Sequence, residues 1–172
     1  EKYFQEYGAT VSGLVDHHGV SAEEFLHYVH DLPLTSVAPD PTLGALIAQL
    51  PGRRICYTNG ARDYAGRILQ QLEIAGAFET VFALEDADLI PKPQRGSFER
   101  LIDRCGIDPR RAVMFEDHAR NLETASALGF ATVLVGASEW PGAYVDVATP
   151  DLHGFLAALL DNPPVDAVGR LA

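Results

Sequence analysis

The chain has 172 residues, of which 47% are hydrophobic and 22% charged, and 24 acids stand against 13 bases for a formal charge of −11. That length holds one domain with a proper core plus a small appendage. The acidic balance weighs against a nucleic-acid partner, which needs clustered Lys and Arg; no apolar run reaches the length of a membrane span, and Glu1-Lys2-Tyr3-Phe4 lacks the marks of a signal peptide.

Residues 1 to about 36 read as helical, with no strand signal. Gly19 ends one helix, and Ser21-Ala22-Glu23-Glu24 is a capping box opening the next, with Ser21 as N-cap and Glu24 reaching back. Phe25, Leu26, Val29 and Leu32 then fall near one face. Asp40-Pro41 opens a further helix, Asp40 as N-cap and Pro41 at N1, where its missing N–H costs nothing. Its buried stripe is Leu43, Leu46, Ile47 and Leu50, and Pro51-Gly52 breaks it.

From there strands and helices alternate. Arg54-Ile55-Cys56-Tyr57-Thr58 reads as a strand, Ala61 to Ile74 as a helix, and Thr80-Val81-Phe82-Ala83 as a second strand. A helix follows from about 95 to Cys105, then a turn or one-turn helix at Asp108-Pro109. Ala112-Val113-Met114-Phe115 is a third strand, Ala119 to Leu128 a helix closed by Gly129, Ala131 to Val135 a fourth strand, and Asp151 to Leu160 a last helix before a frayed tail. Cys56 and Cys105, the two cysteines, read as small buried hydrophobes rather than a disulfide, which fits a reducing compartment and a cytoplasmic protein. Apolar strands alternating with amphipathic helices imply a parallel sheet covered on both faces, with ligands beyond the carboxyl ends of the strands.

Three strand ends carry candidate chemistry. Thr58-Asn59-Gly60 joins a hydroxyl to backbone N–H groups at a helix start, which is either an oxyanion cradle or a plain cap. Pro91-Lys92-Pro93 fixes the backbone around a lysine, as a phosphate-binding ammonium requires; a solvated lysine in a proline-rich loop is the alternative. Glu116-Asp117 is a pair of adjacent carboxylates, tolerable if a divalent cation sits there, and oxygen ligands suit Mg²⁺; the alternative is that Asp117 caps the next helix. In such an acidic chain an anionic substrate needs this kind of local compensation. Together the three groups fit phosphate plus metal.

Tyr57-Thr58-Asn59-Gly60, Pro91-Lys92-Pro93 and Phe115-Glu116-Asp117-His118-Ala119-Arg120-Asn121-Leu122 resemble, in order and spacing, the second, third and fourth motifs of the haloacid dehalogenase superfamily. Tyr3-Phe4-Gln5-Glu6-Tyr7-Gly8, Gly13-Leu14 and Leu32-Pro33-Leu34 resemble the helical cap of its pyrimidine 5′-nucleotidase branch. The resemblance implies an α/β fold, a Rossmann-like three-layer parallel sheet with a small helical cap. Residues 1–38 would be a partial cap, 39–160 the core and 161–172 a tail. It implies that Thr58 hydrogen-bonds the phosphoryl group, helped by the backbone of Asn59 and Gly60. Lys92 neutralises the phosphate, Asp117 with Glu116 holds Mg²⁺, and Asn121 supports the loop. His118 stands where the family usually has serine and is assigned no role. Tyr3, Tyr7, His17 and His18 are cap candidates for substrate contact.

The family's first motif, Asp-x-Asp after an apolar strand, has no match here: Asp86-Ala87-Asp88 has the letters but follows another strand, and Asp146 lacks a partner two residues away. The expectation is a chain beginning inside the cap, lacking its nucleophile and a central strand, and inactive as it stands. The complete protein is expected to be a Mg²⁺-dependent phosphomonoester hydrolase working through an aspartyl-phosphate on a small phosphorylated metabolite, a nucleoside monophosphate being one candidate. Alternatives are a non-catalytic phosphate-binding protein on a degenerate fold and a 2-haloacid dehalogenase, which needs no metal. A phosphoacceptor signalling domain has the wrong order of groups. Oligomeric state is not legible.

Overall fold

The computed structural model describes residues 10–21, 24–25, 28–29, 33–140 and 142–161. The chain divides into two compact units, residues 1–97 and 98–172.

In the first unit, α1 (Thr10–His18) ends at Gly19, whose left-handed φ of +62° lets its N–H reach Val15 O at 3.1 Å. Ser21 then caps as expected: its hydroxyl accepts from Glu24 N at 3.3 Å. Buried Val11 packs with Leu84, and Phe25 and Ala61 close over them. Leu26, Leu32, Tyr3 and Tyr7 lie outside the described residues; His17 and His18 are exposed.

Asp40 caps α2 (Pro41–Gln49) by accepting from Leu43 N at 3.0 Å. The expected buried stripe is only half-buried, and the buried position is Gly44. A Cβ there would meet Ile74 Cγ2 at 3.2 Å and Glu73 O at 3.3 Å, so the absent side chain is what admits the neighbouring segment.

β1 (Ile55–Tyr57) and β2 (Thr80–Phe82) pair in parallel, Ile55 opposite Thr80 and Tyr57 opposite Phe82. Arg54 anchors the strand entrance, donating to Ala77 O at 2.8 Å and to Leu50 O and Gly52 O at 3.0 Å each. The crossover helix α3 (Arg62–Gln71) stops three residues before the expected end at Ile74. Glu73 takes φ +61°, and Ile74 turns inward with its N–H on Leu69 O at 3.0 Å. A further turn of 3₁₀ helix, Leu84–Ala87, had no sequence signal.

α4 (Arg95–Cys105) leads into the second unit and buries Phe98 and Leu101. Asp108 caps the expected single turn by accepting from Arg110 N at 3.1 Å. Then come β3 (Val113–Glu116), α5 (Ala119–Leu128), β4 (Ala131–Val135), β5 (Val147–Thr149) and α6 (Leu152–Asp161). The sheet order is β3-β4-β5, all parallel. Leu122, Ala125, Val133 and Leu156 form the buried centre of this unit. β5 was not foreseen. It is pinned by Asp146, whose carboxylate accepts from the amide and hydroxyl of fully buried Thr132 at 2.8 and 3.1 Å.

The fold is the expected Rossmann-like α/β type, with parallel strands linked by helices. Among the described residues no helix is long and apolar enough to cross a membrane. The tail beyond Asp161 lies outside the described residues.

Candidate functional site

In the first unit, the carboxyl end of β1 delivers Thr58, Asn59 and Gly60 before α3 begins. Thr58 N donates to Phe82 O at 3.0 Å and so prolongs the ladder, aiming the loop beyond the sheet edge. The Asn59 side chain then closes on the backbone of Lys92: Oδ1 accepts from Lys92 N at 2.7 Å and Nδ2 donates to Lys92 O at 3.0 Å. The structure therefore brings Thr58, Asn59, Gly60 and Lys92 together.

Lys92 is not a solvated loop lysine, being only 7% exposed. Its ammonium donates to Tyr57 O at 3.0 Å and lies 4.6 Å from the centroid of the Tyr57 ring. The approach to it is a tight turn in which Asp88 and Leu89 take φ of +53° and +62°. Burial pushes the neighbouring Cys56 thiol up, and the charge on Lys92 draws it partly back. Cys56 and Cys105 form no disulfide, and both are half-buried.

The cradle is leaner than the sequence implies. The Thr58 hydroxyl accepts from Gly60 N at 2.9 Å and keeps its own hydrogen to donate. Arg62 N, at the start of α3, donates to the Glu85 carboxylate at 3.1 and 3.2 Å. So the Gly60 and Arg62 N–H groups already have partners, a correction to the expectation of a free helix terminus; those of Asn59 and Ala61 have none among the described residues.

In the second unit, β3 ends on Glu116, and Asp117 and His118 follow. His118, not Asp117, occupies the N-cap of α5, without a side-chain cap bond, so Asp117 is not explained as a cap. One ligand atom from each of Glu116, Asp117 and His118 lies within 4.8 Å of the others. His118 N donates to Glu116 Oε1 at 3.4 Å, and its Nδ1 lies 3.2 Å from Asp117 Oδ1. Hydrogen bonding between the Glu116 and Asp117 side chains, and secondarily the His118 ring, hold the Asp117 carboxyl below its usual range, against the pull of partial burial. Two carboxylates offering adjacent oxygens fit Mg²⁺; the imidazole is a donor that Mg²⁺ seldom uses. Asn121 sits in the first turn of α5, its N–H on His118 O at 2.8 Å. Asp117, His118, Arg120, Leu134 and Trp140 border an open depression of about 410 Å³.

Sequence reading placed Tyr57 in a motif without giving it a role, and passed over Ser97 and Glu85. Tyr57 had a faint signal, an aromatic beside a candidate loop. Ser97 and Glu85 had none.

The model of the haloacid dehalogenase-like hydrolases matches residues 3–129. Enolase-phosphatase E1 of Frankia alni is 36% identical over 63 residues, 37% of this chain and 26% of that protein. Phosphate metabolism protein 8 of Saccharomyces cerevisiae is 25% identical over 150 residues, 78% of this chain and 47% of that protein. The chain thus spans about a quarter and about half of these curated relatives. The L-2-haloacid dehalogenase structure from Xanthobacter autotrophicus shares the fold at a TM-score of 0.60 and 19% identity, covering 73% of this chain and 62% of that one. With the family model covering residues 3–129 and the fold agreeing, the chain belongs to the haloacid dehalogenase-like hydrolases.

Proposed function

We propose that the complete protein is a Mg²⁺-dependent phosphomonoester hydrolase of the pyrimidine 5′-nucleotidase-like kind. The observation that carries this reading is the Glu116–Asp117 pair at the tip of β3, whose ligand atoms lie within 4.8 Å with no helix cap to account for Asp117. Adjacent acids repel unless a cation is shared between them. A 2-haloacid dehalogenase has no use for such a cation. The likeness to an enolase-phosphatase supports the same choice.

On this reading Lys92 neutralises the phosphoryl oxygens, while the Thr58 hydroxyl and the Asn59 N–H donate to them. Glu116 and Asp117 hold Mg²⁺, which supplies Lewis-acid stabilisation of phosphoryl charge. Asn121 supports the turn that presents them. An aspartate attacks phosphorus, the ester P–O bond breaks, and water then releases phosphate from the aspartyl-phosphate. That aspartate is not Asp86, the first acid of the lone Asp-x-Asp: its carboxylate accepts from Ala83 N at 2.8 Å and pairs with Arg62. We assign the nucleophile to residues other than these 172. Residues 1–38 serve as part of a cap that selects the ester, with a nucleoside monophosphate as the candidate substrate, and the protein works in the cytoplasm.

Hydrolysis of p-nitrophenyl phosphate by the full-length gene product, with and without Mg²⁺, tests the reading. Turnover that needs Mg²⁺ and vanishes in Lys92→Met supports it. Phosphate binding with no turnover of any monoester in a broad panel would instead make it a binding protein. Turnover of 2-haloacids without metal would make it a dehalogenase.

A further inference from the structure

The geometry points to Tyr57 as the positioning residue of Lys92, with Ser97 as the latch that sets the ring. Four contacts carry this. The Lys92 ammonium sits 4.6 Å from the Tyr57 ring centroid, within the range of attraction between a cation and an aromatic face, and is also held by Tyr57 O at 3.0 Å. The Tyr57 hydroxyl meets Ser97 Oγ at 2.5 Å, and Ser97 is fully buried, so the far end of the ring is tied to an immobile partner. Phe82 packs edge-on against the same ring, with centroids 5.5 Å apart, and blocks its rotation from the side.

One residue thus supplies the ammonium with both a backbone acceptor and an aromatic face. Since Tyr57 directly precedes Thr58, the two proposed phosphate-binding groups share one rigid support. The catalytic meaning of the arrangement rests on the phosphatase reading; the placement itself does not.

Lys2, the other lysine of these 172 residues, serves as the reference amine for Lys92. The full-length protein is acylated with a limiting amine-directed reagent, and the Lys92 and Lys2 peptides are quantified by mass spectrometry, with and without inorganic phosphate and Mg²⁺. In Tyr57→Leu, Lys92 should be acylated about tenfold faster than in the wild type, a change in the range of a lost cation–aromatic contact, while Lys2 is unaffected. Tyr57→Trp, which keeps an aromatic face, should restore the slow rate. Ser97→Ala, which frees the ring without removing it, should fall between. An unchanged Lys92 rate in folded Tyr57→Leu overturns the placement. Should that variant fail to fold, an unchanged rate in Ser97→Ala does so instead. The expected rates with no protection of wild-type Lys92 by phosphate uphold Tyr57 as the positioning residue and sink the phosphate-binding role of Lys92.

Discussion

The side chain of Asn59 grips the backbone of Lys92 at both its polar ends, accepting from Lys92 N at 2.7 Å and donating to Lys92 O at 3.0 Å. A primary amide is the only side-chain group that can mimic a peptide in this way, one acceptor and one donor in a plane. Asn59→Asp puts an oxygen opposite the Lys92 carbonyl and should cost about 1–3 kcal/mol, the usual penalty for an unsatisfied buried group. Asn59→Ala should cost less, since it creates no repulsion. Urea unfolding measures both; equal stability of Asn59→Asp and the wild type would refute the clamp.

Removing one of the paired acids separates the metal reading from a purely structural one. Asp117→Asn leaves shape intact and removes a charged ligand oxygen. Titration calorimetry should show Mg²⁺ affinity at least about tenfold weaker, as for the loss of one charge-assisted contact of about 1.5–3 kcal/mol. Thermal stability without metal should hardly move, because Asp117 is exposed. Unchanged Mg²⁺ affinity would remove the acids from the metal site.

Burial raises the Cys56 thiol above its ordinary value of 9.0, with the Lys92 charge opposing. The folded state therefore keeps this proton to higher pH than the unfolded chain does. The linked stability is fully present below 9.0 and is lost as pH rises through the folded value. Alkylation of Cys56 in the native protein should follow a pH curve displaced to the alkaline side of a urea-unfolded control. Lys92→Met should displace it further, since the lowering influence is gone. A native curve on the acid side of the control would show that burial does not dominate.

Two glycines should respond oppositely to alanine. At Gly44 the new Cβ meets Ile74 Cγ2 at 3.2 Å and Glu73 O at 3.3 Å. Overpacking of that kind should cost about 1–2 kcal/mol. Gly66, inside α3, has nothing within 4 Å of its Cβ direction. There alanine should gain about 0.5–1 kcal/mol through helix propensity and a stiffer unfolded chain. Chemical denaturation of both variants reads the contrast, and a loss at Gly66 or a gain at Gly44 contradicts it.

Asp146→Ala removes the acceptor for the amide of fully buried Thr132 and should destabilise by about 1–3 kcal/mol. Asp146→Asn keeps one oxygen and should be milder. Hydrogen exchange should localise the loss to β4 and β5; uniform exchange across the unit would contradict the pinning role.

Where the hydrophobic period was long and punctuated, the chain could be read to the residue. α5 and β4 fall at Ala119–Leu128 and Ala131–Val135, with Gly129 between them at φ +99°. Short or unpunctuated features were opaque. β5 spans three residues, and Asp146 looks like a stray acid until Thr132 is seen to need it. The end of α3 is set by Glu73 in a conformation usually marked by glycine, so no letter announced it. The same division holds for the site. Thr58 and Lys92 follow strands and could be picked out by position. Tyr57 and Ser97 act through a contact between residues 40 apart, which no local pattern encodes.

The carboxylate of Glu85 on Arg62 N places an internal counter-ion at the positive pole of α3. An incoming anion therefore meets a pole already quenched, and among the described residues of this loop Lys92 supplies the monopole attraction. Recognition at that loop should then behave as a single-cation event: modest in reach, shallow in its dependence on ionic strength, and strengthened by Glu85→Gln, which would unmask the helix end.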